Sequence, residues 1–300
     1  PYVELHTHSA FSFLDGASSP EELAESAAQM GYSAIALTDH DGVCGSLVFA
    51  QACREAGIRA ITGSELTLDD GSHLTLLAEN ATGYANLCRL ITLAHADTRN
   101  SRDRRAGAPR LDSAHLAAHA QGIVCLSGCA RSGRVAHHVA AGRATEAAGA
   151  LRELVDIFGD DNVFVEVQRP RLRGDRQLAH ALVQLAQRMK LPPIATGNAH
   201  AHHPRRAFLQ DALVAIRTHS TLDGSDAARR GNRAAVLRTP TQMAERFAEH
   251  PSALLTNTQA LAERLEFDLT RDLGYAYPDF TAPGERADET LTRICRAALG

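Results

Sequence analysis

The alternation of short apolar segments with helix-forming segments over the first two hundred residues most constrains the fold. The first helix is predicted to begin after Ser19, because Ser19, Pro20 and Glu22 form a capping-box pattern. Six apolar segments are typical of buried strands: 33–38, 58–62, 73–78, 122–128, 163–167 and 193–196. Strands that alternate with helices usually pair in parallel. We therefore expect an α/β fold with functional side chains at the carboxyl ends of its strands.

The region after residue 204 differs, because its helix-like segments follow one another without an intervening strand. We expect an α/β domain over 1–204, a helical segment over 205–285 and the truncated start of a further region over 286–300. The last residues stop inside a helix-like pattern without a cap, which indicates a piece of a longer protein. The polar stretch 98–110 is predicted to form an exposed loop.

The composition argues against two classes of protein and favours one compartment. With 35 acidic and 31 basic residues and a net charge of −4, the chain does not bind nucleic acid through bulk charge. No apolar run is long enough to span a membrane, and the N-terminus lacks a signal-peptide pattern. The six cysteines show no paired disulfide framework, so we expect a cytoplasmic protein.

His6 and His8 are the strongest indication of function. They follow a strand-like start, and alternate residues of a strand point to the same side, so both imidazoles can bind one ion. Further ligand-type residues recur near the predicted strand ends: Asp15, Asp39, His40, Asp41, Glu65, His73, Cys129, Asn198 and His200. His6 and His73 are exceptions, since they lie nearer strand starts or interiors. The pattern predicts a multinuclear metal centre at one face of the fold.

Three of these residues also have ordinary structural explanations. Cys129 could be a small thiol buried in a Ser-Gly-Cys turn. Asn198 could hydrogen-bond its own loop. His73 could be a strand histidine bonded to backbone. Their placement among the other ligand-type residues favours metal binding for His73 and Cys129, and leaves Asn198 open between the two interpretations.

Residues around the predicted centre suggest supporting roles. Asp39 is predicted to orient His40 as a carboxylate behind the ligand. Arg169 and Arg171 follow the strand at 163–167, where they could contact a phosphate or belong to a solvated loop. The strand-end position favours phosphate. The histidines and Cys129 suit zinc, while manganese or iron would also accept the carboxylates.

Six short motifs together resemble those of the PHP domain, named for polymerase and histidinol phosphatase. They are HTHS at 6–9 followed by Asp15, LTDHD at 37–41, GSEL at 63–66, HLTLLAEN at 73–80, LSGC at 126–129 and ATGNAH at 195–200. The resemblance covers about two hundred residues, which makes it far more specific than any single motif. It implies an α/β fold of the distorted (β/α)7 barrel type.

The resemblance also implies three ion sites and hydrolysis of a phosphate ester. The implied ligand sets are His6, His8 and Glu65 with residue 198; Glu65, His73 and Cys129; and Asp15, His40 and His200. The site would hold two or three divalent ions. Asn198 departs from the family pattern, which has aspartate at this position. Because an amide oxygen is neutral and a weaker ligand than a carboxylate, the first site would bind its ion more loosely.

The C-terminal third resembles one branch of this family. The stretch 237–269 is similar to the helical segment that joins the PHP domain to the palm in the alpha subunits of bacterial DNA polymerase III, and FSFLDGAS resembles the error-prone, damage-associated branch. This implies polymerising aspartates beyond Gly300 and DNA bound through that parent protein. The implied partners are the sliding clamp and other polymerase or damage-response subunits. A stand-alone phosphoesterase and a non-enzymatic interaction module are alternatives.

Overall fold

This computed structural model describes residues 2–98, 107–274, 280–281 and 284–299. The described residues contain six strands and ten α-helices. The strands are β1 Ala34–Leu37, β2 Arg59–Thr67, β3 His73–Ala78, β4 Ile123–Leu126, β5 Val163–Gln168 and β6 Pro193–Thr196. The helices are α1 Pro20–Gln29, α2 Ser46–Glu55, α3 Ala81–Ala94, α4 Ala136–Ala140, α5 Ala144–Phe158, α6 Asp175–Met189, α7 Ala207–Arg217, α8 Pro240–Arg246, α9 Ala253–Arg264 and α10 Ala287–Leu299.

The strands form one curled sheet in sequence order from β1 to β6. β1 and β2 are parallel, and so are β4, β5 and β6, but β3 is antiparallel to both of its neighbours. The expectation of parallel pairing is therefore wrong at β3. The reason is local: β2 continues to Thr67, and a tight turn at 68–72, with Gly71 at positive φ, returns the chain without a helix.

The N-terminal segment joins the two edges of the curled sheet. Glu4 pairs in parallel with Ile35 of β1, and Thr7 pairs in parallel with Ala199 just after β6. The amide of His8 donates to the carbonyl of Ala199 at 2.8 Å on the same side. The segment thus takes the position of a seventh strand, and the predicted barrel-like α/β fold is confirmed.

Helices cover the sheet through apolar faces that the sequence pattern places correctly. α1 begins with the predicted capping box, in which Ser19 and Glu22 exchange side-chain to backbone hydrogen bonds. Leu23 of α1 and Leu182 of α6 are buried in the largest core cluster, together with side chains of the sheet. Burial of each such side chain stabilises the fold by about 1.5–3 kcal/mol, which positions the strand ends firmly.

Helices α8 and α9, which follow residue 204, pack on the α/β part and share its core. Met243 and Phe247 belong to the largest core cluster, and Leu261 belongs to a second cluster that contains Leu5 of the N-terminal segment. The domain boundary near residue 204 stays a prediction, but the described helices α8 and α9 are not isolated from the domain before them.

Parts of two predictions fall outside the described residues. These parts are 99–106 of the exposed loop and 275–279 and 282–283 of the helical segment. Among the helices that the structure describes, none combines the length and the apolar character needed to cross a membrane.

Candidate metal centre

The two histidines of the N-terminal segment face the same side, as their spacing predicts. Their Nε2 atoms are 3.0 Å apart, and both His6 and His8 are fully buried. Hydrogen bonds to β1 on one side and to the residues after β6 on the other keep the segment extended. Because the segment is extended, side chains two residues apart point into the same space.

Glu65 lies among four imidazoles. Its Oε1 is 3.5 Å from Nε2 of His6 and 3.4 Å from Nδ1 of His73. Its Oε2 is 3.6 Å from Nε2 of His8 and 3.0 Å from Nδ1 of His40. The β2–β3 hairpin places the start of β3 beside the end of β2, which explains how His73, at a strand start, joins residues from strand ends.

Ligand-type atoms converge in three overlapping groups among the described residues. Within each group the atoms lie within 4.8 Å of one another, and the groups are His6, His8 and Glu65; His40, Glu65 and His73; and His8, His40 and His200. Asp15 adds a carboxylate to the last group, since its Oδ2 is 3.3 Å from Nε2 of His40 and 3.1 Å from Nε2 of His200. Residues far apart in sequence therefore form one compact cluster.

Several buried polar atoms of this cluster have no hydrogen-bond partner. They include Oε1 of Glu65, Nδ1 of His73 and Oδ1 of Asn198. A buried polar atom without a hydrogen-bond partner destabilises a protein. Most buried polar atoms in native structures therefore have a partner. A divalent ion would satisfy these acceptors, and imidazole and carboxylate are common ligands for zinc, manganese and iron. The residues present therefore fit divalent metal ions.

The buried carboxylates determine the charge of the neighbouring histidines. Burial disfavours the protonated form of His6, but Glu166 and Glu65 outweigh it and raise the pKa to about 10. At His40, Glu65 and Asp15 together outweigh burial and raise the pKa to about 10. For His8, burial and the adjacent imidazoles lower the pKa well below its usual value, which favours the neutral ring. Glu65 thus requires positive charge around it, which a proton or a metal ion can supply.

Asp39 accepts hydrogen bonds from the segment that follows His8. Its carboxylate accepts hydrogen bonds from the amide and the hydroxyl of Ser9 and from the hydroxyl of Ser12, each at 2.7 Å. Oγ of Ser12 lies 3.0 Å from Nδ1 of His8 and accepts the backbone amide of His40 at 3.1 Å. Asp39 therefore acts on the ring of His8 through Ser12, and it reaches His40 through the backbone rather than the imidazole.

Glu166 and Gln168 hold the ring of His6, a role that sequence analysis missed. Oε1 of Glu166 is 2.6 Å from Nδ1 of His6 and accepts a hydrogen bond from Nε2 of Gln168 at 2.8 Å. All three side chains are buried. A signal was available, because Glu166 stands between Val165 and Val167 in an apolar strand, where a carboxylate needs a polar partner.

Cys129 and Asn198 lie at the edge of the cluster. Burial raises the pKa of the Cys129 thiol well above its usual value, and nearby Glu65 raises it further. Its Sγ accepts the amide of Ser132 at 3.4 Å and is in none of the three atom groups found among the described residues. Asn198 has a φ of 49°, a conformation that asparagine tolerates well. Metal binding by either residue stays a prediction.

The two arginines singled out from the sequence differ in their surroundings. Nε of Arg169 is 3.3 Å from Oδ2 of Asp175, and its Nη1 pairs with Glu249 after α8. Arg171 is exposed and has a positive φ of 58°. Contact of either guanidinium with a phosphate stays a prediction.

Two other arginines contact the cluster directly, and sequence analysis did not identify them. Nη2 of Arg230 is 3.1 Å from Oδ2 of Asp15 and also donates to Nε2 of His200. Nη1 of Arg217 is 3.4 Å from Oδ1 of Asp15. Both lie beyond residue 204, in a region where no motif distinguishes one arginine from another.

A cavity of about 800 Å³ opens beside Asn198. Its polar lining includes Gln168, Asn198, Arg131, Arg173, Arg229 and Arg230. Asp175 is the one carboxylate among the described residues that line it. Arg229 and Arg230 pair with aspartates, so a phosphate in this cavity would be bound mainly by Arg131 and Arg173.

Comparison with known proteins agrees with this geometry. The model of the PHP domain family matches residues 4–170, more than half of the chain. The chain belongs to the PHP domain family. The resemblance expected from the six motifs is thereby confirmed. The family match covers the N-terminal segment, the β2–β3 hairpin and β5, which together supply most of the clustered side chains.

Relatives of this PHP chain are named as DNA polymerases. It is 39% identical over 304 residues to an error-prone DNA polymerase from Symbiobacterium thermophilum, a match covering 98% of this chain and 28% of that protein. It is 34% identical over 277 residues to a DNA polymerase III subunit alpha from Treponema pallidum, covering 88% of this chain and 23% of that protein. The chain thus spans about a quarter of the length of these curated relatives.

A more distant likeness links the PHP chain to a solved structure of a proposed metal-dependent phosphoesterase from Bifidobacterium adolescentis. The sequences are 15% identical and the TM-score is 0.46, over 66% of this chain and 87% of the other. A likeness at this level carries no weight for function.

Proposed function

We propose that this chain is the PHP domain of a bacterial error-prone DNA polymerase related to the polymerase III alpha subunit, and that it is a weak metal-dependent 3′–5′ exonuclease. The observation that carries the proposal is the position of Glu65, which two of the three ligand groups share. A carboxylate shared by two ion positions would hold two ions close together, and paired ions can stabilise both the attacking and the leaving oxygen of a phosphoryl displacement. The similarity to error-prone polymerases over nearly the whole chain supports DNA as the substrate.

The proposed centre holds two or three divalent ions. The ligands are His6, His8 and Glu65 with the amide oxygen of Asn198; Glu65, His73 and Cys129; and Asp15, His40 and His200. Zinc suits the imidazoles and the thiol best, and manganese or iron would suit the carboxylates. When bound, the ions would polarise phosphoryl oxygens and acidify water.

The residues of the chain itself position the ligands and the phosphate. Glu166 binds Nδ1 of His6, so Nε2 of that ring remains directed at Glu65. Ser12 binds Nδ1 of His8 in the same way. Arg131 and guanidinium neighbours in the cavity beside Asn198 would attract the phosphates of a DNA 3′ end. No nucleophilic side chain is needed.

The test combines metal content with nuclease activity on the full chain. Elemental analysis would be run with cleavage of a 5′-labelled single-stranded oligonucleotide in manganese, for the native chain, His8→Ala and Asn198→Asp. We expect bound ions and slow 3′ shortening in the native chain, fewer bound ions and no cleavage in His8→Ala, and faster cleavage in Asn198→Asp. His180→Ala, at an exposed histidine of α6, is the matched control.

Three outcomes would contradict the proposal. A native chain without bound metal would overturn the metal centre. Cleavage that persists in His8→Ala would assign the activity to another site or to a contaminant. Turnover of a small phosphate monoester with no action on DNA would instead favour a stand-alone phosphoesterase.

The parent protein is proposed to be a cytoplasmic DNA-directed DNA polymerase that acts in replication and translesion synthesis. Its DNA contacts would be made mainly by parts of the parent polymerase other than this chain, because the chain carries no excess of positive charge. The sliding clamp and other polymerase or damage-response subunits are the proposed partners. Recovery of such subunits with the parent protein, but not with a parent lacking residues 1–300, would assign those contacts to this part of the protein.

A further inference from the structure

Arg230 occupies the place of a cation in one of the three ligand sets. Its Nη2 contacts Oδ2 of Asp15 at 3.1 Å and donates to Nε2 of His200. These are the same two atoms through which Asp15 and His200 would bind an ion, since they lie 3.1 Å from each other. The guanidinium thus engages two of the three proposed ligands, Asp15 and His200, of the set that also includes His40.

The second oxygen of Asp15 is also engaged by a cation. Nη1 of Arg217 lies 3.4 Å from Oδ1 of Asp15, and Gln210 donates to its backbone carbonyl at 3.2 Å. The side chain of Asp15 is buried, with 7% exposed, so its charge must be balanced from within the protein. Two arginines from the region after residue 204 supply that balance.

The loop that carries Arg230 is attached to the barrel at several points. Nδ2 of Asn232 donates to the carbonyl of Pro170 at 2.9 Å, and Nη2 of Arg131 donates to the carbonyl of Ala228 at 3.1 Å. The side chain of Arg230 is 19% exposed. The guanidinium is therefore held at the cluster by its surroundings.

We infer that Arg230 replaces the metal ion of the set Asp15, His40 and His200. The chain would then hold two ions, one at each of the two ligand sets that share Glu65, and a guanidinium at Asp15 and His200. The inference rests on the proposed metal centre. A divalent ion at Asp15 would compete with Arg230 for the same lone pairs and would be repelled by its charge.

The number of ions that the chain binds then depends on Arg230. We expect two ions per native chain and three in Arg230→Gln, because glutamine removes the positive charge and frees Asp15 and His200. Arg230→Lys keeps the charge and should hold two. The matched control is Arg229→Gln, since Arg229 pairs with Asp211 and Asp226 rather than with the cluster.

The experiment is zinc titration by calorimetry, with elemental analysis of the dialysed full chain, for the native protein and the three variants. Far-UV circular dichroism would confirm that each variant is folded. Three ions in the native chain, or two in a folded Arg230→Gln, would overturn the inference. If Arg230→Gln does not fold, the native count and the Arg230→Lys count still decide the matter, since three in either refutes it. A native chain that binds no zinc would overturn the metal centre itself, which is a different result.

Discussion

Replacing Glu65 with glutamine should remove most of the stabilisation that metal ions give this chain. Glutamine has the same shape, but its amide nitrogen is a donor and cannot bind a cation. The carboxylate oxygens of Glu65 lie 3.0 to 3.6 Å from the rings of His6, His8, His40 and His73. One substitution therefore alters two of the three ligand groups together.

The magnitude follows from the number of ion positions that share Glu65. An ion that binds only the folded state stabilises it by about 2.7 kcal/mol when its free concentration is 100 times its dissociation constant. Two such ions would contribute about 5 kcal/mol. At roughly 2–4 °C per kcal/mol for a chain of this size, zinc should raise the melting temperature of the native chain by roughly 10–20 °C.

Scanning calorimetry with EDTA and with excess zinc measures this difference. We expect the zinc-induced increase in melting temperature to fall to a few degrees or less in Glu65→Gln. Glu153→Gln is the control, because Glu153 is half-exposed and pairs with Arg134 away from the cluster. An equal zinc effect in Glu65→Gln and the native chain would refute the idea that Glu65 joins two ion positions.

Three further predictions follow from particular contacts. Asp39→Ala should lower the free energy of unfolding in EDTA by about 3 kcal/mol, because three hydrogen bonds to its buried carboxylate are lost. Urea denaturation measures this loss. Leu261→Ala should also cost about 3 kcal/mol while unfolding stays one transition, and a separate early transition would show that α9 is independent of the barrel. Removing metal should speed hydrogen exchange at the amides of His8 and Ala199 but leave Leu76 in β3 unchanged, and equal acceleration at all three would contradict this.

The fold and most of the candidate site could be predicted because their signals are local. His6 and His8 are two apart after a strand-like start, and the structure places their rings together. His40 follows β1 and Glu65 lies near the carboxyl end of β2, and strand ends meet at one edge of a sheet. In each case a short pattern determines the backbone, and the backbone then determines where the side chain lies.

The remaining features depend on contacts between distant segments. His73 lies at a strand start, whereas most of the other ligand-type residues lie at strand ends. Because β3 runs antiparallel to β2, its start lies beside the end of β2, and the length of β2 was not evident from sequence. Arg217 and Arg230 reach the cluster from about two hundred residues away, and 31 lysines and arginines offer no reason to choose them. Packing of the C-terminal helices on the barrel decides which arginines face Asp15, and periodicity alone does not predict it.

The cluster lies where the barrel closes. Ions bound there could therefore stabilise the fold independently of any hydrolytic activity. The N-terminal segment joins the sheet edges through isolated bridges rather than through long strand ladders, so few backbone bonds close the barrel. Nε2 of His6 and Nε2 of His8 in this segment lie 3.5 and 3.6 Å from the carboxylate of Glu65 in β2. An ion held by these three side chains would tie the segment to the sheet and favour the closed barrel, whether or not it also cleaves a phosphate ester. A chain that has lost hydrolysis, for instance through Asn198, therefore still has a physical reason to keep its ligands. For the same reason, thermal stabilisation by zinc and nuclease activity must be measured as two independent properties.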